Sequence, residues 1–307
     1  MNVGGPKPGQ NSRGPRWSAE PYVRTGLGIV AAFVVLLVAH PLLVGTVWPS
    51  GIYNPVTGFD YDLLHPSPPS AAHFLGTDPL GRDVVSMIME GTKPGLTVAV
   101  SAAAASFLVS LLVGALATLG HVGRWTGWVM SNTALLLPAP IVMAILGVSV
   151  IGHYFTAPVF GAFFGLLAGA STAGLVLRSR ALDINASGFI DAAIVAGSRP
   201  IRRFRRDILP HLLPLATVYA FLAASAAIIT DGFLAYLGLV ETRFNWGTIV
   251  SFALTFRTID GRIPWNVLIS TAMALSMLTL GMFLVATGLR RWETAKYREE
   301  GSHRTPQ

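Results

Sequence analysis

Six long apolar stretches constrain this chain more than any other feature of it. They cover residues 25–47, 95–120, 125–151, 154–177, 208–238 and 264–289, and together they hold one Asp and no Glu, Lys or Arg. About 20 residues at ~1.5 Å of rise per residue cross the ~30 Å hydrocarbon core of a bilayer. Backbone N–H and C=O groups find no water there, so a spanning segment satisfies them internally as a helix. The expected fold is therefore an all-α integral membrane protein with six transmembrane helices. With 52% hydrophobic residues against 12% charged, the composition excludes an ordinary soluble domain.

The cations fix the orientation. With a cytoplasmic N-terminus, 17 of the 22 Lys and Arg residues fall on the cytoplasmic side, among them seven arginines in the connection 178–206. Five fall outside: Arg82, Lys93, Arg243, Arg257 and Arg262. The positive-inside rule then puts both termini in the cytoplasm. The net charge of +7 is thus a topology signal. No basic groove with interleaved aromatics points to nucleic acid. The first span lacks a small-residue cleavage site and is long for a signal-peptide core, so it reads as a retained helix. The absence of cysteine excludes disulfides and thiolate chemistry. Nineteen Arg to three Lys, with abundant Ala, Gly and Val, fits a bacterial plasma (inner) membrane.

The expected organisation is a disordered cytoplasmic tail over 1–24, a first span over 25–47, an extracytoplasmic loop over 48–94, a five-helix core over 95–290 containing the loop 178–207, and a cytoplasmic tail over 291–307. Trp48, Tyr53, Phe59, Tyr61 and Phe74 make the outer loop too aromatic for a bare linker. Inside the core, small residues recur every fourth position: Ser106, Ser110, Gly114 and Thr118 in span two, and Ala157, Gly161, Gly165, Gly169 and Ala173 in span four. Such stripes let helix backbones approach in lipid, so they mark packing faces or line a path. Pro138 and Pro140 are expected to loosen span three.

Ionisable groups are nearly absent from the spans. Asp231 is the acid deep in one; His40 and His211 lie nearer ends. Ion-coupled carriers place several such groups at mid-membrane, and this pattern does not. Asp231 is left with a substrate amine or a helix junction as its role. No HExxH or GxSxG string, and no metal-ligand spacing of the histidines, suggests catalysis or a cofactor. The run Gly76-Thr77-Asp78-Pro79-Leu80-Gly81-Arg82-Asp83 has the glycine spacing of a phosphate loop. Its chemistry is wrong, since Arg82 stands in place of the lysine and Asp83 in place of the magnesium-binding hydroxyl. Any ATP dependence requires another chain.

Between the fourth and fifth spans the chain reads IDAAIVAGSRPIRRFRRDILP, residues 190–210. Small residues, a glycine and an arginine-rich amphipathic stretch between two membrane-crossing segments make a handle held out to a second protein. Ala192, Ala193 and Gly197 leave room for tight docking, and Ser198 is a candidate N-cap for the next helix. Ile201, Phe204 and Ile208 are expected to share one face, with Arg202, Arg203, Arg205 and Arg206 opposite at lipid headgroups.

HFLGTDPLGRDVVSMIMEGTK, the DAAIVAG string with ILP beyond it, AYLGL and NWG together resemble the C-type permease subunit of dipeptide, oligopeptide and nickel ABC importers. The resemblance runs from about His73 to Trp292. It implies that Asp191, Ala192, Ala193, Gly197, Ser198 and Arg199 form a coupling helix and turn that dock into an ATPase. It implies that Gly76, Thr77, Asp78, Gly81, Arg82 and Asp83 form the outer motif of this branch. It assigns Asp231, Asn132 and Pro138 to the translocation path or a helix junction. The partners implied are a homologous permease in a heterodimer, two ATP-binding subunits or one fused ATPase, and an extracytoplasmic solute-binding protein whose docking would use the outer loop. The implied cargo is a di- or oligopeptide, with nickel or its chelate as the alternative. A secondary transporter and a membrane scaffold are the competing classes. The chain departs from the family pattern at Asp191, usually Glu; at Asn132, often an acid; at Met87, usually Arg; and at Pro94-Gly95, which interrupts the start of span two.

Overall fold

The computed structural model describes residues 20–63, 65–119, 123, 127, 139–148, 156–240, 244–256, 261 and 263–302. Every regular element among them is helical. In order these are α1 (Pro21–Thr46), α2 (Ser50–Tyr53), α3 (Val84–Ala117), α4 (Ala139–Val148), α5 (Ala157–Ala168), α6 (Gly174–Asn185), α7 (Gly188–Val195), α8 (Pro200–Arg203), α9 (Leu209–Tyr236), α10 (Trp246–Thr255) and α11 (Trp265–Ser302). A π-helical turn, Gly169–Ala173, joins α5 to α6, and a second, Phe204–Ile208, joins α8 to α9.

Five segments among the described residues are long and apolar enough to cross a membrane: Pro21–Thr46, Val84–Ala117, Ala157–Asn185, Ile201–Tyr236 and Trp265–Ala295. Of the expected third span only α4 is described. Asn132 and Pro138 lie outside the described residues.

The helices overrun the boundaries expected from sequence. α1 starts at Pro21, where proline's fixed φ and missing N–H suit a first helical position. The second span begins at Val84 and not near residue 95, because Asp83 caps it: its Oδ2 accepts the Ser86 amide at 2.8 Å. Pro94 therefore sits inside α3. Gly91 and Gly95 flank it beneath the indole of Trp246; a Cβ on them would lie 2.6 and 3.2 Å from that ring. The segment after residue 290, expected as a tail, continues as helix to Ser302, and Arg291 stacks its guanidinium 4.2 Å from the Tyr22 ring centroid.

α3 is the post of the bundle, packing against α5, α6 and α9, while α11 packs against α1, α9 and α10. Lipid supplies no hydrophobic drive between helices, so the contact depends on close backbone approach. The stripe of small residues on span four provides it. Gly161 faces Ser101 and Val98, Gly165 faces the backbone of Ala102, and Gly169 faces Ser106, whose Cα would be 2.9 Å from an added Cβ. Gly114 of span two opens the same kind of contact toward Leu177 and Leu212. A second core surrounds Trp246, which meets Phe33 edge-on at 5.6 Å and donates from Nε1 to the Ile88 carbonyl at 3.1 Å.

Gly165→Val should force α5 off α3, because the new side chain meets the backbone of Ala102 with no flexible atom to yield. Overpacking of this kind costs ~1–3 kcal/mol. The measurement is the melting temperature of the purified protein in detergent. Gly28→Ala, where nothing lies within 4 Å of the new carbon, should melt at or above the wild-type value.

Candidate coupling helix and outer-face motif

α7 projects from the end of the bundle at which α3 finishes. Its sequence FIDAAIV would bury one side in an ordinary surface helix, but only Ile190 is buried. Ile190 is the plug: it packs with Ala181 and Ile184 of α6, Ile208 of the second π turn and Leu212 of α9. The others look outward. Phe189 is 55% exposed, Ile194 50% and Val195 89%, and Asp191 and Ala192 are also exposed.

The helix ends where Gly197 takes φ +75°, a left-handed conformation that L side chains with a Cβ adopt at a cost. Its N–H bonds the Ile194 carbonyl at 2.9 Å, and the Ser198 N–H bonds the Ala193 carbonyl at 3.0 Å. This pair of bonds is a Schellman closure, which turns the chain sharply and satisfies two terminal carbonyls. No atom crowds Gly197, so backbone conformation and not space selects glycine there.

Two local expectations for the loop are corrected. Ser198 does not cap the next helix; the Arg199 carbonyl accepts from the Arg202 and Arg203 amides at 3.0 and 3.1 Å, so the cap lies one residue later, ahead of Pro200. Ile201, Phe204 and Ile208 do not form one buried face. Ile201 is 67% exposed and Ile208 is buried, because the π turn Phe204–Ile208 shifts the register of the helix before Pro210.

The outer motif sits at the opposite end of α3 and is folded upon itself. Gly76 and Gly81 have φ +76° and +81°, and a bridge joins Thr77 to Asp83. Asp78 holds the turn: its Oδ1 accepts the Leu80 and Arg82 amides at 3.0 and 2.8 Å, and its Oδ2 accepts Arg82 Nε at 2.8 Å and Nη2 at 2.5 Å. A carboxylate of the chain thus occupies the hollow where a phosphate loop would hold its ligand. Asp83 caps α3 with one oxygen and meets His73 Nδ1 at 2.8 Å with the other. His73 in turn reaches Asp60 at 3.4 Å, and the Thr77 hydroxyl gathers Ser67 and His65 at 2.8 Å each.

The environment shifts two of these groups. The amide of Asp62 holds the Asp60 carboxyl below its ordinary range, with help from His73 against a burial effect. Burial pushes the Tyr53 hydroxyl up, and the Asp83 and Asp60 carboxylates add to it.

Asp78, Arg82 and Asp83 are therefore buried, with their charges turned toward one another and toward His73. The surface of the outer loop presents Tyr61, Asp62, Leu63 and Phe74 instead. Asp60, His73 and the Ile190 plug were not legible as site residues, because their roles depend on neighbours distant in sequence.

Asp231 lies near this outer end, 2% exposed. Its Oδ2 accepts from Asn245 Nδ2, while Oδ1 has no hydrogen-bond partner among the described residues. Asn245 caps α10, taking the Gly247 amide on Oδ1 at 2.8 Å in a reciprocal capping box with Thr248. Gly247 is required because a Cβ would strike the Gly232 carbonyl. The NWG string thus ties α9, α10 and α3 together, and Asp231 is bonded to its first residue, Asn245.

Residues 106–292 match the family described as the binding-protein-dependent transport system inner membrane component. The chain belongs to that family. It is 30% identical over 267 to 279 residues to several relatives, including a glutathione transport system permease protein of Pectobacterium atrosepticum, with 88% of this chain and 87% of the relative covered. It is 28% identical to a dipeptide transport system permease protein of Alkalihalophilus pseudofirmus, covering 86% and 83%. The protein is thus a multi-pass membrane permease subunit, in a family that works with binding proteins.

Asp231→Asn keeps an acceptor for Asn245 and should impair transport modestly. Asp231→Ala strands a buried amide donor at a cost of ~1–3 kcal/mol and should lower uptake further. Neither should change the cargo affinity of the isolated binding protein. A complete switch of transported cargo in Asp231→Asn would show that this residue selects the solute and serves no mere junction.

Proposed function

We propose that this chain is one of two homologous permeases of a peptide importer driven by separate cytoplasmic ATPases, with both of its own termini in the cytoplasm. The supporting observation is α7, a short helix with Phe189, Ile194 and Val195 uncovered in an arginine-rich loop. An uncovered apolar helix surface beside the bundle is unfavourable unless a partner removes it from water. Its rigid Schellman end and the Ile190 plug suit it to transmit a push. Closure of the ATPases on ATP would move α7, and α6 and α9 would follow, alternating the path between inward and outward states.

A peptide cargo is supported by the relatives, whose names give dipeptide and glutathione transport. An extracytoplasmic binding protein would deliver it, docking against the outer loop near Tyr61, Asp62 and Phe74. This chain would perform no chemistry of its own; hydrolysis belongs to the partner subunits.

Ala193→Glu should block seating of α7 in a close-packed cleft, since overpacking costs ~1–3 kcal/mol before any charge is buried. Gly197→Val should misdirect the turn at ~1–2 kcal/mol from its positive φ. At ~1.4 kcal/mol per tenfold, ATPase occupancy should fall by about five- to a hundredfold in Ala193→Glu and by about five- to thirtyfold in Gly197→Val. The complex is purified through a tag on the sister permease, and ATPase occupancy and binding-protein-stimulated hydrolysis are measured. Both variants should still insert and pair with that permease. Full occupancy and full stimulation in Ala193→Glu would remove α7 as the coupling element.

A further inference from the structure

A cavity of about 300 Å³ lies between α3, α4, the first π turn and α9. Among the described residues its polar lining consists of Ser106, Ser171, Thr172 and Tyr219, and none of them that lines it is acidic, basic or an imidazole. The π turn lies midway along the span Ala157–Asn185, and Tyr219 midway along α9.

Three observations set this hollow apart from a packing gap. First, Ser106 is fully buried, and its hydroxyl has no hydrogen-bond partner among the described residues. A buried hydroxyl left unmatched is unfavourable for folding, so its presence calls for a ligand that completes it. Second, the backbone departs from α geometry at Gly169–Ala173, where Ser171 and Thr172 reach the cavity. Departures of this kind at membrane depth occur where the backbone is buried in protein or lines a polar space. The one bond of the Ser171 hydroxyl, to the Ala168 carbonyl, is long at 3.5 Å. Third, Leu222 and Ala226 are shared with a second hollow of about 620 Å³ between α9 and α11. That hollow carries Ser225, Ser276 and Thr279, and the Thr279 hydroxyl is also buried with no hydrogen-bond partner among the described residues.

We propose that this hydroxyl-lined strip, centred on Ser106, Ser171 and Thr172, is the solute contact of this subunit, and that it hydrogen-bonds the main-chain amides of a short peptide during passage. The proposal rests on the importer reading above and names its chemistry. A peptide bond leaving water needs one donor and one acceptor replaced, and a hydroxyl supplies either by rotation, without regard to the peptide's side chains. A fixed charge there would hold one peptide terminus too firmly to release it. Bare divalent transition metals favour imidazole or thiolate ligands, and the strip offers neither.

The test uses the complete importer in proteoliposomes: this chain, its sister permease, the ATPases and the binding protein. ATP-driven uptake is measured for a neutral dipeptide and for the same dipeptide N-methylated at its peptide bond. Their uptake ratio is then compared between wild type and the double variant Ser171→Ala with Thr172→Val. The preference of the binding protein is common to both and cancels.

Loss of one or two hydrogen bonds predicts a three- to thirtyfold fall in uptake of the unmethylated dipeptide. The methylated dipeptide keeps its carbonyl acceptor and lacks only the N–H, so the ratio of unmethylated to methylated uptake should fall by that one bond's share, about two- to tenfold, with stimulated ATP hydrolysis unchanged. Ser106→Ala should move the ratio in the same direction. An unchanged ratio, whether uptake is retained or both peptides are lost equally, overturns the proposal and leaves the cavity a packing feature. If the wild-type complex moves neither peptide with ATP, the peptide-importer reading fails and the inference falls with it.

Discussion

The approach of α5 to α3 through Gly161, Gly165 and Gly169 is the contact on which the rest of the arrangement depends. In lipid the energy of such a contact comes from backbone atoms in van der Waals reach, so a single Cβ on that face is enough to open it. The same contact fixes where the first π turn falls, since Gly169 lies against Ser106. Beyond the turn the span continues as α6 along α3, and Gly114 admits Leu212 of α9 beside Leu177. Both spans that carry the α7 loop are thereby clamped to one helix.

That clamp gives the exposed loop its mechanical meaning. Ile190 sits among Ala181, Ile184, Ile208 and Leu212, so α7 cannot shift without displacing the ends of α6 and α9. At the other end of α3, Asp83 and Asp78 convert a long loop into a fixed cap, and Trp246 joins α10 to the Ile88 carbonyl. The hydroxyl-lined hollow lies between these two ends.

Much of this was legible in the sequence. Spans, stripes of small residues, the DAAIVAG string and the outer motif follow from hydropathy, four-residue spacing and turn-forming glycines. Helix ends were not, because they depend on capping: Asp83 extends α3 past Pro94, and Arg199 displaces Ser198 as a cap. Burial within the outer motif was also hidden. Asp78 and Arg82 read as surface charges until the fold shows them bonded to each other, and His73 reads as isolated until it meets Asp83 and Asp60. Sequence periodicity likewise does not mark a π turn, so the register change that exposes Ile201 was out of reach.

The central claim is that motion enters through α7 and reaches the spans through Ile190. Solute accumulated per ATP hydrolysed, compared between wild-type and Ile190→Ala importers in proteoliposomes, tests it most directly. The exposed docking surface is untouched by that change, so the ATPases should remain bound and active, while accumulation per ATP falls severalfold as the plug loosens. A variant that transports as many molecules per ATP as wild type would contradict the account and show that the spans are driven by another route.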